Sequence, residues 1–102
     1  MVKRLIWTVE AQQNRIEIFE YWNNRNKSKI YSRKLNEIFN EYIYLILKHP
    51  DIGMTTNIEN VRNKTVKDYQ IIYLIEEQSI ILLAIWDTRQ KPDLLKNKIN
   101  II

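Results

Sequence analysis

The run Tyr69-Gln70-Ile71-Ile72-Tyr73-Leu74-Ile75, the short interval Glu76-Glu77-Gln78, and the run Ser79-Ile80-Ile81-Leu82-Leu83-Ala84-Ile85-Trp86 decide the fold. Both runs are rich in β-branched and aromatic residues, which fit a pleated, packed surface. The polar interval between them is too short for anything but a hairpin turn. A strand with one wet face alternates apolar and polar side chains, and neither arm does so. This hairpin therefore belongs at the centre of a sheet, with something packed on each of its faces.

Working outward, a polar-rich strand is expected over Ile58–Val66, next to the hairpin in sequence and in space. At the other end of the chain, Val2–Thr8 alternates loosely and reads as a short strand, which brings the expected sheet to four strands. Between these lie two amphipathic segments. From Glu10 to Arg25, Ala11, Ile18 and Trp22 share a helical face, flanked by Ile16 and Phe19. From Lys29 to Lys48, Tyr31, Leu35, Ile38, Phe39, Tyr42 and Ile46 form a stripe, widened by Ile30, Ile43 and Leu47. The polar stretch Asn23–Ser28 separates them, so the two helices form an antiparallel hairpin. Thr8 is placed to cap the first helix through its hydroxyl. His49-Pro50-Asp51-Ile52-Gly53 ends the second: proline cannot continue a helix, and glycine permits a left-handed turn. Asp87–Pro92 reads as a polar loop, and Asp93–Ile102 as a short terminal helix or strand. The architecture is thus α+β, a single domain over residues 1–102. It consists of an N-terminal strand, an antiparallel helical hairpin and a three-stranded antiparallel meander, forming one sheet.

One helical hairpin covers one face of such a sheet. The second face needs its own cover: the tail (Leu94, Leu95, Ile99, Ile101, Ile102), a second copy, or a partner. Leaving large apolar side chains in water forgoes about 1.5–3 kcal/mol each, and extended exposed patches mark binding surfaces.

Composition narrows the chemistry. With 102 residues there is room for one domain, and 45% hydrophobic with 27% charged residues is a globular composition. The formal charge of +4 and pI near 9.4 suit an anionic partner such as RNA, DNA or an acidic protein segment, although neutral drift also reaches such values. The absence of cysteine excludes disulfides, thiolate metal sites and cysteine nucleophiles. A lone histidine, His49, excludes His-rich metal sites and leaves a Ser-His-Asp triad without support. Glycine-rich phosphate loops and carboxylate clusters are missing, so neither a cofactor nor a metal is expected. The N-terminal apolar run is too short for a signal-peptide core, and no stretch approaches the roughly 18–20 apolar residues of a membrane span. A cytoplasmic location without membrane contact follows as the expectation.

Several short words then stand in a telling order. They are Trp7-Thr8-Val9-Glu10-Ala11 at the first helix start, Ile18 with Tyr21 inside it, and His49-Pro50-Asp51-Ile52-Gly53 after the helical hairpin. They continue with Val61-Arg62 followed by Asp68-Tyr69-Gln70-Ile71-Ile72-Tyr73, and Trp86-Asp87-Thr88-Arg89-Gln90-Lys91-Pro92 after the last strand. In this order the chain resembles the RelE/ParE toxin superfamily of type II toxin–antitoxin modules over about residues 5–95, with the ParE-like branch the nearer. The resemblance implies a toxin that arrests bacterial growth and is held silent by a cognate antitoxin. It leaves two kinds of target open: DNA gyrase, bound by ParE-type toxins, or mRNA on the ribosome, cut without metal by RelE-type toxins.

Metal-free RNA cleavage needs a base, cations for the developing phosphorane, and an acid for the leaving oxygen. Arg62 and Lys64, two apart and hence on one face of their strand, with Tyr73 and Arg89, are the candidate catalytic set. Lys67 and Lys91 could add phosphate contacts. Against it, Gln70 stands where the cleaving branch carries arginine, and Leu94 and Leu95 stand near the place of its terminal tyrosine. A neutral amide lacks the charged fork that grips phosphate. Tyr69 and Tyr73 also fit a packed core. Under the binding reading, Lys67, Tyr69, Asp87, Arg89 and Lys91 are the candidate antitoxin or target contacts, with an Arg89–Asp87 ion pair as the plainer role for Arg89. The helical turn carries Arg25, Lys27, Lys29, Arg33 and Lys34 with no acid between them. That suits an acidic protein surface or RNA, or simply a solvated turn. An inactive relative that only binds is a third possibility.

Overall fold

The structure is a computed structural model that describes residues 3–89. Strand β1 (Arg4–Trp7) leads into helix α1 (Val9–Asn26) and helix α2 (Ile30–Lys48). A 3-10 turn (Pro50–Ile52) follows, then strands β2 (Met54–Thr55), β3 (Val61–Val66), β4 (Tyr69–Ile75) and β5 (Ser79–Asp87). The sheet has five strands in the order β1-β5-β4-β3-β2, antiparallel throughout except that β1 lies parallel to β5. The fold class is the expected one, with one strand more than four. The extra strand, β2, pairs only Met54 with Asn63 and Thr55 with Arg62. Two residues carry no periodicity, which is why the sequence did not announce it. The segment expected to open the third strand at Ile58 instead turns: Thr56 Oγ1 donates to Val61 O at 2.8 Å and accepts from Ile58 N at 3.1 Å, and Asn60 takes a left-handed φ of 64°.

Thr8 caps α1 as expected, accepting from Ala11 N at 3.1 Å. Helix α1 runs on through Asn23–Asn26, and Lys27 ends it at φ 53°, the position that usually takes glycine. Gly53 is different from expectation. Its φ of −74° is ordinary extended backbone. Glycine is required there because a Cβ would collide with the Tyr73 hydroxyl and the Asn63 carbonyl.

The main core lies between the helices and one sheet face, built from Ala11, Leu35, Phe39, Ile43, Ile46, Val66, Tyr69, Ile71, Tyr73, Ile80, Leu82 and Ile85. Ile16 and Ile30, expected in the helical stripes, face water, Ile30 with 77% of its surface exposed. A smaller cluster of Val61, Ile72, Ala84 and Trp86 fills the second face, with Ile58, Leu74 and Leu83 against it. Those four keep 5% or less of their exposure. The centre of the second face is therefore buried rather than bare. The tail residues proposed as its cover lie outside the described residues.

A register shift explains why β5 is apolar on both sides. Tyr73 pairs with Leu82 but Ile72 pairs with Ala84, so Leu83 is surplus. Ile80, Leu82 and Ile85 face the helices, whereas Leu83, Ala84 and Trp86 join the second cluster.

Candidate functional site

Strand β1 ends opposite Leu82, and from there α1 takes over the flank of β5. Thr8 Oγ1 donates to Leu82 O at 2.8 Å. Two turns on, the Asn14 amide oxygen accepts from Ile85 N at 3.0 Å, while its nitrogen donates to Glu10 Oε2 at 2.6 Å. Asn14 is buried, and both ends of its amide are used, as burial of a polar group demands. Beyond Asn14 the helix and strand separate and leave a cleft of about 260 Å3. Asn14, Glu17, Ile18 and Tyr21 form its helical wall, and Tyr69, Ile85, Trp86, Asp87 and Arg89 its sheet wall.

At the mouth of this cleft, Tyr69 and Asp87 are cross-strand partners. Arg89 folds back onto Asp87 in a two-pronged pair, with Nε to Oδ1 at 2.9 Å and Nη2 to Oδ2 at 2.7 Å. The Arg89 N–H also donates to Oδ1 at 2.9 Å. Hydrogen bonding by the guanidinium holds the Asp87 carboxyl below the usual carboxylate range, against a smaller opposing effect of burial. The same contact raises Arg89 above the ordinary arginine value. The Tyr69 ring is buried, and its hydroxyl accepts from Trp22 Nε1 at 2.8 Å. Burial pushes its phenol up; the Trp22 bond works against that shift, and Asp87 adds to it. The β3–β4 turn ends beside this group. Lys67 is left-handed at φ 59°, and Thr88 N and Oγ1 both donate to Asp68 O at 2.9 Å.

The opposite end of β4 is organised differently. Tyr73 is fully buried; its hydroxyl donates to Pro50 O at 2.6 Å and accepts from Gly53 N at 3.0 Å. Burial raises its pKa, and the Gly53 bond and Arg62 oppose the rise. Arg62 donates to Gly53 O at 2.8 Å and Asp51 O at 3.2 Å. Lys64 faces the helices as Arg62 does, its ammonium 5.8 Å from the Tyr42 ring centre on α2.

The family model of the ParE toxin of the type II toxin–antitoxin system parDE matches residues 5–92. The chain belongs to the ParE toxin family. Its fold is also similar to a solved structure of the chromosomal ParDE TA system from P. aeruginosa. The TM-score is 0.74 at 16% identity, covering 84% of this chain and 96% of that one. No curated protein matches the chain.

In this ParE-family chain, the sequence-named residues fall into two groups. Lys67, Tyr69, Asp87 and Arg89 converge at one end of the sheet. Arg62 and Tyr73 sit together at the other, four residues along β4 from Tyr69, roughly 13 Å away. Lys64 lies between them under Tyr42. Arg89 is thus not brought to Arg62, Lys64 or Tyr73. Lys91 lies outside the described residues, as do Leu94 and Leu95. Sequence reading passed over Asn14, Glu17 and Trp22 as site residues. Asn14 left a signal: it follows Ala11 by three and precedes Ile18 by four, a polar residue on an apolar face. Among the described residues, no group of three or more His, Asp or Glu side chains is placed to hold a metal, and no helix is long and apolar enough to cross a membrane.

Proposed function

We propose that this ParE-family chain arrests bacterial growth from the cytoplasm by binding DNA gyrase, and that a cognate antitoxin silences it. The contact surface in this reading is the sheet end that carries Lys67, Tyr69, Asp87 and Arg89, together with the adjoining α1–β5 cleft; Lys91, two residues on in sequence, is a further contact in this proposal.

One observation carries the choice of binding over cleavage. Arg62 Nη1 and the Tyr73 hydroxyl are held by the backbone of Pro50, Asp51 and Gly53, and Arg89 is paired with Asp87 at the far end of β4. An in-line phosphoryl transfer needs its acid, base and cations around one phosphate, and this arrangement spreads them along the sheet instead.

The test is induction of the chain in bacteria without the neighbouring gene. Growth should stop, DNA supercoiling should fall first, and co-expression of the neighbouring gene should restore growth. Loss of mRNA integrity before any change in supercoiling would instead identify a ribosome-dependent, metal-independent endoribonuclease. In that event Arg62→Ala should abolish toxicity while the protein stays folded. Normal growth at high soluble expression would identify an inactive relative that only binds.

A further inference from the structure

The tip of the helical hairpin is built against its own stability. Lys27 ends α1 in the left-handed region at φ 53°, where a side chain is strained and glycine is preferred. Lys29 occupies the N-cap of α2 and makes no side-chain capping bond, although serine, threonine, aspartate or asparagine would make one. The Ser28 hydroxyl supplies one bond to Ile30 N at 3.1 Å. The first turn of α2 holds no acid. Arg33 closes that turn instead, where the helix dipole disfavours positive charge, and Lys34 follows it. A turn selected only for folding would replace these residues one by one.

Lys27, Lys29, Arg33 and Lys34 are all exposed, as is Arg25 beside them. Arg25 leans on Trp22, with its guanidinium 5.9 Å from the ring centre. The other four have no side-chain partner among the described residues, where the one ion pair is Arg89–Asp87. Glu20 and Glu37, the nearest acids in sequence, neutralise none of them. Five uncompensated cations thus stand within ten residues on one tight turn.

From this we infer that the hairpin tip binds the phosphate backbone of a nucleic acid. The cations sit on the outside of a turn, and both the α1–β5 cleft and the smaller one beside Thr55–Arg62 are lined by other residues. On the turn itself Ile30 is the one large apolar side chain that stands exposed, a slight anchor for a folded acidic protein or peptide, whose interfaces centre on clustered aromatic and aliphatic anchors. Exposed cations spread over a turn meet instead a surface of dense and regular charge, and the released counterions supply the affinity. Such contacts position a protein without reading sequence. The surface is distinct from the sheet end proposed above to meet the toxin's target, and it does not depend on which target that is.

The test uses the full chain and fluorescence anisotropy with three probes: a mixed-sequence DNA duplex, the matching RNA duplex, and poly-glutamate. Binding to a nucleic acid should weaken with salt, log K falling by about 0.9 per log unit of salt for each phosphate neutralised. The triple variant Lys27→Gln, Lys29→Gln, Lys34→Gln should lose about tenfold or more in affinity and flatten the salt slope by roughly 2–3. The charge-matched triple Lys3→Gln, Arg4→Gln, Lys48→Gln should lose much less. The tighter of the DNA and RNA probes identifies the source of the phosphates. Lys27→Gly and Lys29→Asp should each raise the melting temperature while weakening nucleic-acid binding by more than any single member of the control triple does. Equal losses in the two triples, no binding to either duplex, or tighter binding to poly-glutamate than to both would overturn the inference.

Discussion

Tyr73 and Gly53 lie twenty residues apart in sequence, and the Tyr73 hydroxyl accepts the Gly53 N–H at 3.0 Å while donating to Pro50 O at 2.6 Å. One phenol thereby ties the exit of α2 to the centre of the sheet. Tyr73→Phe leaves a buried N–H and a carbonyl without their partner and should cost about 1–3 kcal/mol, read as a lower urea midpoint with an unchanged slope. Gly53→Ala should cost at least as much, because the new methyl meets the Tyr73 hydroxyl and the Asn63 carbonyl. Under the binding reading, toxicity per folded molecule stays intact in Tyr73→Phe; its abolition in a folded variant would argue for catalysis by that phenol.

Asn14 supplies the hydrogen bond that a neighbouring strand would otherwise give to Ile85. Asn14→Ala should destabilise the fold by about 1–3 kcal/mol. Amide hydrogen exchange gives the sharper reading: the Ile85 N–H should lose protection well beyond the change at Ile71 on the neighbouring strand. Uniform loss across the sheet would mean that the clasp acts only through global stability.

The Asp87–Arg89 pair sets a pH dependence. A carboxyl whose folded-state pKa is depressed stabilises the fold above its unfolded value near 3.9, and the contribution fades as pH falls through the lower folded value. Carbon NMR should find the Asp87 carboxyl titrating below that value, and Arg89→Gln should move the midpoint upward. Since more than half of the Arg89 side chain remains exposed, the same variant should alter stability at neutral pH only slightly. If the sheet end is the contact surface, Arg89→Gln should weaken the complex with antitoxin or gyrase by about tenfold or more, measured by calorimetry.

Trp22 and Tyr69 join α1 to β4 through a 2.8 Å bond. Tyr69→Phe removes the acceptor from the indole N–H and should cost about 1 kcal/mol, with a change in tryptophan emission that the same substitution at Tyr44, an exposed tyrosine, does not produce.

The fold was legible in the sequence wherever a periodic pattern ran long enough to fix an element. The helical hairpin, the Thr8 cap and the β4–β5 pair all read directly, because 3.6-residue stripes and unbroken β-branched runs have few alternative homes. Part of the site was legible for the same reason. Two strands joined by Glu76-Glu77-Gln78 bring their far ends together, so Tyr69 had to lie near the end of the last strand; that its partner is Asp87 and not Trp86 follows from the surplus Leu83, which the sequence does not reveal. What escaped was set by contacts remote in sequence. Nothing local to Arg62 or Tyr73 reveals that the Pro50–Gly53 backbone engages them. Met54–Thr55 is too short to show a period. The burial of Val61, Ile72, Ala84 and Trp86 depends on how the whole chain closes over that face.

The surplus residue Leu83 has a consequence for how this surface can vary. Deleting it would let the ladder run without interruption: Ile72 would still meet Ala84, and Tyr69 would still meet Asp87. The architecture would survive the loss, but the kink it puts into β5, just where α1 replaces β1 as neighbour, would relax. The wall of the cleft would then swing relative to Asn14 and Tyr21. One residue thus acts as a steering joint: losing or gaining it would re-aim the mouth of the cleft without redesigning the scaffold beneath it.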